Sequence, residues 1–170
     1  NYRLNHSKIC TSFLKKYNTP RPAFKTINFL LFDHIGGLNT LFHTLFNKGQ
    51  VIIPYARTVA KIINDIEKYQ VELLPTTPTF LRMYTISKKV SAESMQSLRL
   101  VVAGAEKLRA EVRDGFESKF NMPVYEGYGT TETSPGASVN LPDIKSPQKI
   151  RNRPGTVGKA FSGTEFRIVD

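Results

Sequence analysis

From Thr26 to Tyr128 the chain alternates short runs of β-branched and apolar residues with longer stretches whose apolar positions recur at helical spacing. No other pattern in it restricts the fold as strongly. The short runs are TINFLLF (26–32), QVIIP (50–54), VELLPTT (71–77), LRLVVAGA (98–105) and VYEGY (124–128). Between them lie GLNTLFHTLFNKG (37–49), ended by Gly49; TVAKIINDIEKY (58–69), with Thr58 as N-cap; PTFLRMYTI (78–86), opened by Pro78; and RAEVRDGFESKF (109–120). Parallel neighbours need crossover connections, so this order predicts an α/β fold: a mostly parallel sheet flanked by helices on both faces.

After Thr131 the texture changes. SPGASVNLPDIKSPQKIRNRPG (134–155) is rich in Pro, Ser, Asn and Lys and carries no period, which predicts a long loop. GTVGKAFSGTEFRIVD (155–170) reads as two short strands around an SGT turn, the start of an antiparallel β segment in a different sheet. The expected organisation is therefore an α/β subdomain over 1–135, a loop over 136–155 and a truncated β subdomain over 156–170. The tail stops within an apolar run, and the chain opens on Asn1, so an excised piece of a longer protein is expected.

Upstream, HSKICTSFLKKY (6–17) has Ile9, Phe13, Leu14 and Tyr17 at helical spacing, with Cys10 as a small core residue on that helix. One cysteine makes no internal disulfide and no thiolate metal site, which suits a reducing cytoplasm. INFLLF (27–32) is far too short to cross a bilayer, so no transmembrane segment is expected. The net charge is +10, from 24 Lys and Arg against 14 Asp and Glu, and it favours an anionic partner. The positive residues are scattered, with one loose cluster at Lys145, Lys149, Arg151 and Arg153, and this argues against a nucleic-acid binder.

In an α/β sheet, ligands sit beyond the carboxyl ends of the strands. Two glycine-containing turns lie at such ends: AGAE (103–106) and EGYGTTE (126–132). They follow consecutive strands and could line one pocket. In the second, Gly127 and Gly129 let backbone amides approach a ligand, and Tyr128 offers a flat face. Thr130 and Thr131 offer hydroxyls, and Glu132 a hard oxygen suited to Mg2+. That inventory serves a base, a phosphate and a metal. Composition alone leaves open a plain β-turn with a Thr/Glu cap. GYGTTE fails the dinucleotide fingerprint at Glu132, no Walker sequence is present, and SFLK (12–15) lacks the companion motifs of an S-x-x-K enzyme.

With AGAE before it and GTVGKAFSGTEFRIVD after it, YGTTE resembles the AMP-binding superfamily of adenylate-forming enzymes. DHIGGL (33–38) and LLPTTPTFLRM (73–83) extend the resemblance over nearly the whole chain. The resemblance implies ATP-dependent activation of a carboxylic acid, fatty or aryl, to an acyl-adenylate. Thioester formation with CoA or a carrier protein's phosphopantetheine would follow. It implies that Tyr128 stacks on adenine and that Gly104, Ala105, Glu106, Glu126 and Gly127 contact the base and ribose, with Gly129 in the same nucleotide loop. Thr130 and Thr131 would address the α-phosphate, Glu132 would hold Mg2+, and His34, Gly36 and Gly37 would line the acid tunnel. Thr130, Glu132 and His34 are the catalytic candidates, while His6 and His43 read as helix-surface residues. The family's phosphate loop would precede Leu4, its ribose motif would follow Asp170, and its small lysine-bearing domain is missing, so this segment alone is expected to be inactive. The other reading of the sequence is a non-catalytic basic module that binds a polyanion or an acidic carrier protein.

Overall fold

In the computed structural model the described residues are 24–140, 153–161 and 163–169. The expected helix over 6–17, with His6 and Cys10, lies outside them, as do Lys145, Lys149 and Arg151.

The apolar runs form strands β1 (Lys25–Ile27), β2 (Gln50–Ile52), β3 (Leu73–Thr76), β4 (Leu100–Ala103) and β5 (Val124–Tyr128). They are shorter than the runs that announced them. Of TINFLLF only Thr26 and Ile27 lie in β1, and the Asn28 N–H adds one more bond, to the Ile52 carbonyl at 2.8 Å. The crossovers are helices α1 (Ile35–Phe46), α2 (Val59–Tyr69), α3 (Pro78–Ile86) and α4 (Ala110–Phe120). Strands β6 (Ser138–Val139) and β7 (Lys159–Ala160) complete a sheet in the order β2-β1-β3-β4-β5-β6-β7. All pairs from β2 to β5 are parallel, and β5–β6 and β6–β7 are antiparallel. The mostly parallel sheet is thus as expected. The antiparallel part departs from expectation in two ways: it continues the same sheet, and the described tail contributes one strand, with β6 arising inside the 136–155 segment read as loop.

Local chemistry explains the helix boundaries. The Thr58 hydroxyl accepts the Lys61 N–H at 3.2 Å and caps α2, and Pro78 opens α3 where no amide is needed. Lys48 rather than Gly49 takes the left-handed turn after α1, at φ 59°. Gly49 is required for another reason: a Cβ there would stand 2.7 Å from Thr44 Cγ2 and 2.9 Å from the Phe24 carbonyl oxygen.

The main core lies between the sheet and helices α2, α3 and α4, where Ile62, Ile66, Leu74, Leu81, Tyr84, Val101 and Phe116 meet. A smaller cluster of Phe24, Leu73, Leu100 and Tyr125 occupies the other face. Helix α1 runs from β1 outward to β2, opposite in sense to the later crossovers, so right-handed connections put it on that second face. The Phe24 and His43 rings, 6.5 Å apart, fit this placement. His43 is therefore half-buried, not a helix-surface residue, and burial pushes its imidazole pKa down. Gly37, Thr40 and Thr44 are the buried positions of α1, whereas Phe42, Leu45 and Phe46 are exposed.

Candidate functional site

Parallel strands deliver their following turns to one edge of the sheet, and β4 and β5 are paired there through Ala103 and Glu126. The two glycine turns consequently adjoin. A Cβ built on Gly104 would lie 3.3 Å from the Gly127 carbonyl oxygen. The Gly104 N–H donates to the Thr76 carbonyl at 3.1 Å, which extends the ladder one residue beyond β4. Ala105 then takes a left-handed conformation, φ 69°, and reverses the chain. Ala105, Glu106 and Lys107 are exposed.

Glu126 differs from the other members of the group. Its side chain is buried, and one carboxylate oxygen accepts the Leu108 N–H at 3.0 Å. That bond ties the exit of the first turn to β5, and the Glu126 carbonyl accepts the Asn140 N–H at 2.8 Å. Its carboxylate holds the two turns together. Glu106 is exposed and accepts from the Thr79 hydroxyl, 3.0 Å from each of its oxygens.

In the second turn, Gly127 and Tyr128 pair with Val139 and Ser138. Tyr128 keeps 45% of its surface exposed, and its ring lies 6.2 Å from that of Phe166. Gly129 is sterically obligatory, since a Cβ there would stand 1.5 Å from the Pro135 carbonyl oxygen. Thr131–Thr133 then make one 3-10 turn. The Thr133 hydroxyl accepts the Thr130 N–H at 2.8 Å and donates to the Thr130 carbonyl at 3.0 Å, so the turn is self-capped. The capped turn is present: Thr130 and Thr133 form a reciprocal capping box, and Thr130 and Thr131 are exposed. Hydrogen bonds from the Glu132 backbone amide, then from the Thr130 hydroxyl, hold the Glu132 carboxyl below the usual carboxylate range. An exposed, ionised carboxylate on a rigid turn fits a hard divalent cation. Among the described residues no three metal-ligating side chains converge, so such a cation would take Glu132 from the protein and its other oxygens from phosphate and water.

His34, Gly36 and Gly37 follow β1, at the same edge but three strand spacings from β5, about 14 Å away. There the strand order reverses, between β1 and β3, which is where open α/β sheets form a crevice. His34 is the N-cap of α1: its Nδ1 accepts the Gly36 N–H at 3.0 Å. An accepting Nδ1 carries no proton, which leaves the neutral ring's N–H on Nε2. A Cβ on Gly37 would stand 2.0 Å from the Leu31 carbonyl oxygen, and the Gly37 carbonyl accepts from Asn28 Nδ2 at 2.9 Å. Gly37 thus lets the loop fold onto the helix. The edge carries two groups, Gly104–Glu106 with Glu126–Glu132, and His34–Gly37 apart from them. Thr79 and Thr133 are contributors the sequence reading did not name. The Thr-Glu-Thr spacing around Glu132 could have indicated Thr133, while nothing periodic marks Thr79.

Comparison with known proteins gives the same direction. The family model for AMP-binding enzyme matches residues 4–170. A 4-coumarate--CoA ligase 1 of Oryza sativa subsp. japonica is 29% identical over 139 residues, 81% of this chain and 24% of its own length. Apo MatB from Rhodopseudomonas palustris is similar in structure with a TM-score of 0.73 and 25% identity, over 98% of this chain and 34% of that one. An ATP-bound RpMatB-BxBclM chimera matches with a TM-score of 0.71 and 26% identity, over 93% of this chain and 30% of its own. The chain spans about a quarter of the rice ligase's length and about a third of MatB's.

Proposed function

This chain belongs to the AMP-binding enzyme family, and from that premise we propose that the protein carrying it activates a carboxylic acid with ATP and passes the acyl group to a thiol. The observation that carries the reading is the junction of the two turns, with Gly104 3.3 Å short of the Gly127 carbonyl once a Cβ is added. That junction supports a purine nucleotide held between Gly104–Glu106 and Glu126–Gly129, with Tyr128 supplying the stacking face. The ATP-bound state of the related chimera supports ATP as the nucleotide.

In the first step a carboxylate oxygen attacks the α-phosphorus, the bond to the β-phosphate oxygen breaks, and pyrophosphate leaves with the electron pair. Negative charge gathers on the phosphoryl oxygens. Thr131 donates to them by its hydroxyl, Thr130 does so on exchanging its bond to Glu132, and Glu132 would hold Mg2+, which would supply charge neutralisation when bound. The β1–β3 crevice, with His34 at its lip, takes the acid. In the second step a thiol attacks the acyl carbon and AMP leaves. The acceptor is CoA or phosphopantetheine on a carrier protein, and the +10 charge supports an acidic carrier. Among the described residues no helix is long and apolar enough to cross a membrane, which is compatible with a cytoplasmic enzyme. The α/β subdomain over 1–135, the loop over 136–155 and the β segment from 156 form part of one adenylating domain.

The test is ATP–pyrophosphate exchange by the complete protein against a panel of fatty and aryl acids. Exchange with one class, lost in Tyr128→Ala and Glu132→Ala, supports the reading and names the acid. Polyanion binding without any exchange overturns it in favour of the basic module. The 170-residue chain by itself is expected to give no exchange.

A further inference from the structure

The turn after β4 is costly to hold in shape. Ala105 sits in the left-handed region, which disfavours a residue with a Cβ. Ala105, Glu106 and Lys107 are exposed, so the core does not fix them. Three hydrogen bonds anchor the turn. The Gly104 N–H meets the Thr76 carbonyl at 3.1 Å, where the chain enters. The Leu108 N–H meets the Glu126 carboxylate at 3.0 Å, where it leaves. The Thr79 hydroxyl, 3.0 Å from both Glu106 oxygens, is the bond that reaches the tip.

The Thr79 side of that bond is the rigid one. Thr79 stands in the first turn of α3, where free amides and the helix dipole also favour a carboxylate. Pro78, Leu81 and Tyr84 bury the inner face of the helix. At its far end Lys119 Nζ donates to the carbonyls of Tyr84, Thr85 and Ser87 at 3.1, 2.9 and 2.8 Å. Strand β3 lies between β1 and β4, so Thr79 also stands between the two halves of the site.

We propose that Thr79 is a positioning residue of the nucleotide site: through Glu106 it ties the tip of the β4–α4 turn to the first turn of α3, and so sets the surface that the turn presents beside Gly127. The proposal rests on the nucleotide reading of these turns. Breaking the tie alters ATP recognition and leaves the acid pocket and the fold untouched.

The experiment uses the complete protein as Thr79→Val, which keeps the shape and removes the hydroxyl, and as Thr79→Ser, which keeps the hydroxyl. The ATP KM in pyrophosphate exchange rises about fivefold in Thr79→Val, the effect of one exposed charge-assisted hydrogen bond. It returns to within about twofold of wild type in Thr79→Ser, with the acid KM and the unfolding midpoint unchanged in both. Amide exchange at Ala105–Lys107 quickens in the valine variant and not in the serine variant. An ATP KM within about twofold of wild type in Thr79→Val overturns the proposal, as does a rise that serine fails to restore. Should wild-type protein bind no ATP in a calorimetric titration, the nucleotide reading falls. Amide exchange then decides the tie by itself: quickened exchange in the valine variant retains it, and unchanged exchange removes it.

Discussion

The two margins of β5 are built by different means. Toward β4 the structure depends on volume: Ile62, Ile66, Leu74, Leu81, Val101 and Phe116 are each 0% exposed and fill the space under the helices. Toward β6 it depends on missing volume and one amide. A Cβ on Gly129 would reach to 1.5 Å from the Pro135 carbonyl oxygen, and one on Gly158 to 2.1 Å from that of Val139. Asn140, buried, donates to the carbonyls of Arg153 at 2.6 Å and Thr156 at 3.2 Å, and accepts the Arg153 N–H at 2.7 Å. The candidate site lies on the seam and draws on both. Its first turn hangs from the packed side, and its second is shaped by the close-approach side.

The contrast can be broken most directly in the core. Phe116→Ala should lower global stability by about 3–5 kcal/mol in denaturant unfolding, the cost of an aromatic removed from a packed interior. A loss smaller than that of any glycine change on the other margin would dissolve the distinction. Next is a matched pair within one turn. Gly129→Ala should cost about 1–3 kcal/mol, because backbone must move to admit the methyl. Gly127→Ala meets ordinary contacts, the nearest at 3.7 Å, and should stay within about 0.5 kcal/mol. Equal effects in the pair would mean that the turn is not held by close approach. Asn140→Ala should open the β6–β7 margin alone, faster tryptic cleavage after Lys159 in β7 reporting a local loss of about 1–2 kcal/mol. A drop in the global unfolding midpoint would show the margins to be one cooperative unit.

The smallest effect concerns protonation. Glu132 is held below the usual carboxylate range by its own amide and by Thr130, so its charge survives acidification that neutralises ordinary carboxylates. The Glu132-dependent part of the Mg2+-ATP affinity, wild type against Glu132→Gln, should therefore persist as pH falls through the ordinary carboxylate range and decline only below it. Thr130→Val removes the second support and should move that decline to higher pH. An unshifted decline in titration calorimetry would separate Glu132 from the metal.

The packed side was largely legible in the sequence because its signals are local. Thr58 caps where a helical period begins, Pro78 opens a helix where an amide is dispensable, and strand and helix alternate. Helix α1 was legible as a helix but not in its orientation. Its small residues Gly37, Thr40 and Thr44 face in while Phe42, Leu45 and Phe46 stay exposed, the reverse of what apolar periodicity teaches. On the other margin, β6 has two residues inside a stretch without period, and its pairing depends on contacts with Gly127 and Tyr128 that no local pattern announces. The adjacency of the two turns followed from consecutive parallel strands. The inward turn of Glu126 and the bond between Thr79 and Glu106, 27 residues apart, did not, since hydrogen bonds between side chains at arbitrary separation leave no periodic trace.

The methyl group on Ala105 has one further consequence. Glycine would adopt the same φ of 69° without penalty, yet it would also give the unliganded turn many other shapes. Alanine holds the left-handed conformation under strain, so the turn keeps this shape through the bonds at Gly104, Glu106 and Leu108. On the proposed nucleotide reading, the turn would already be ordered by those bonds, and less entropy would remain to be lost on binding.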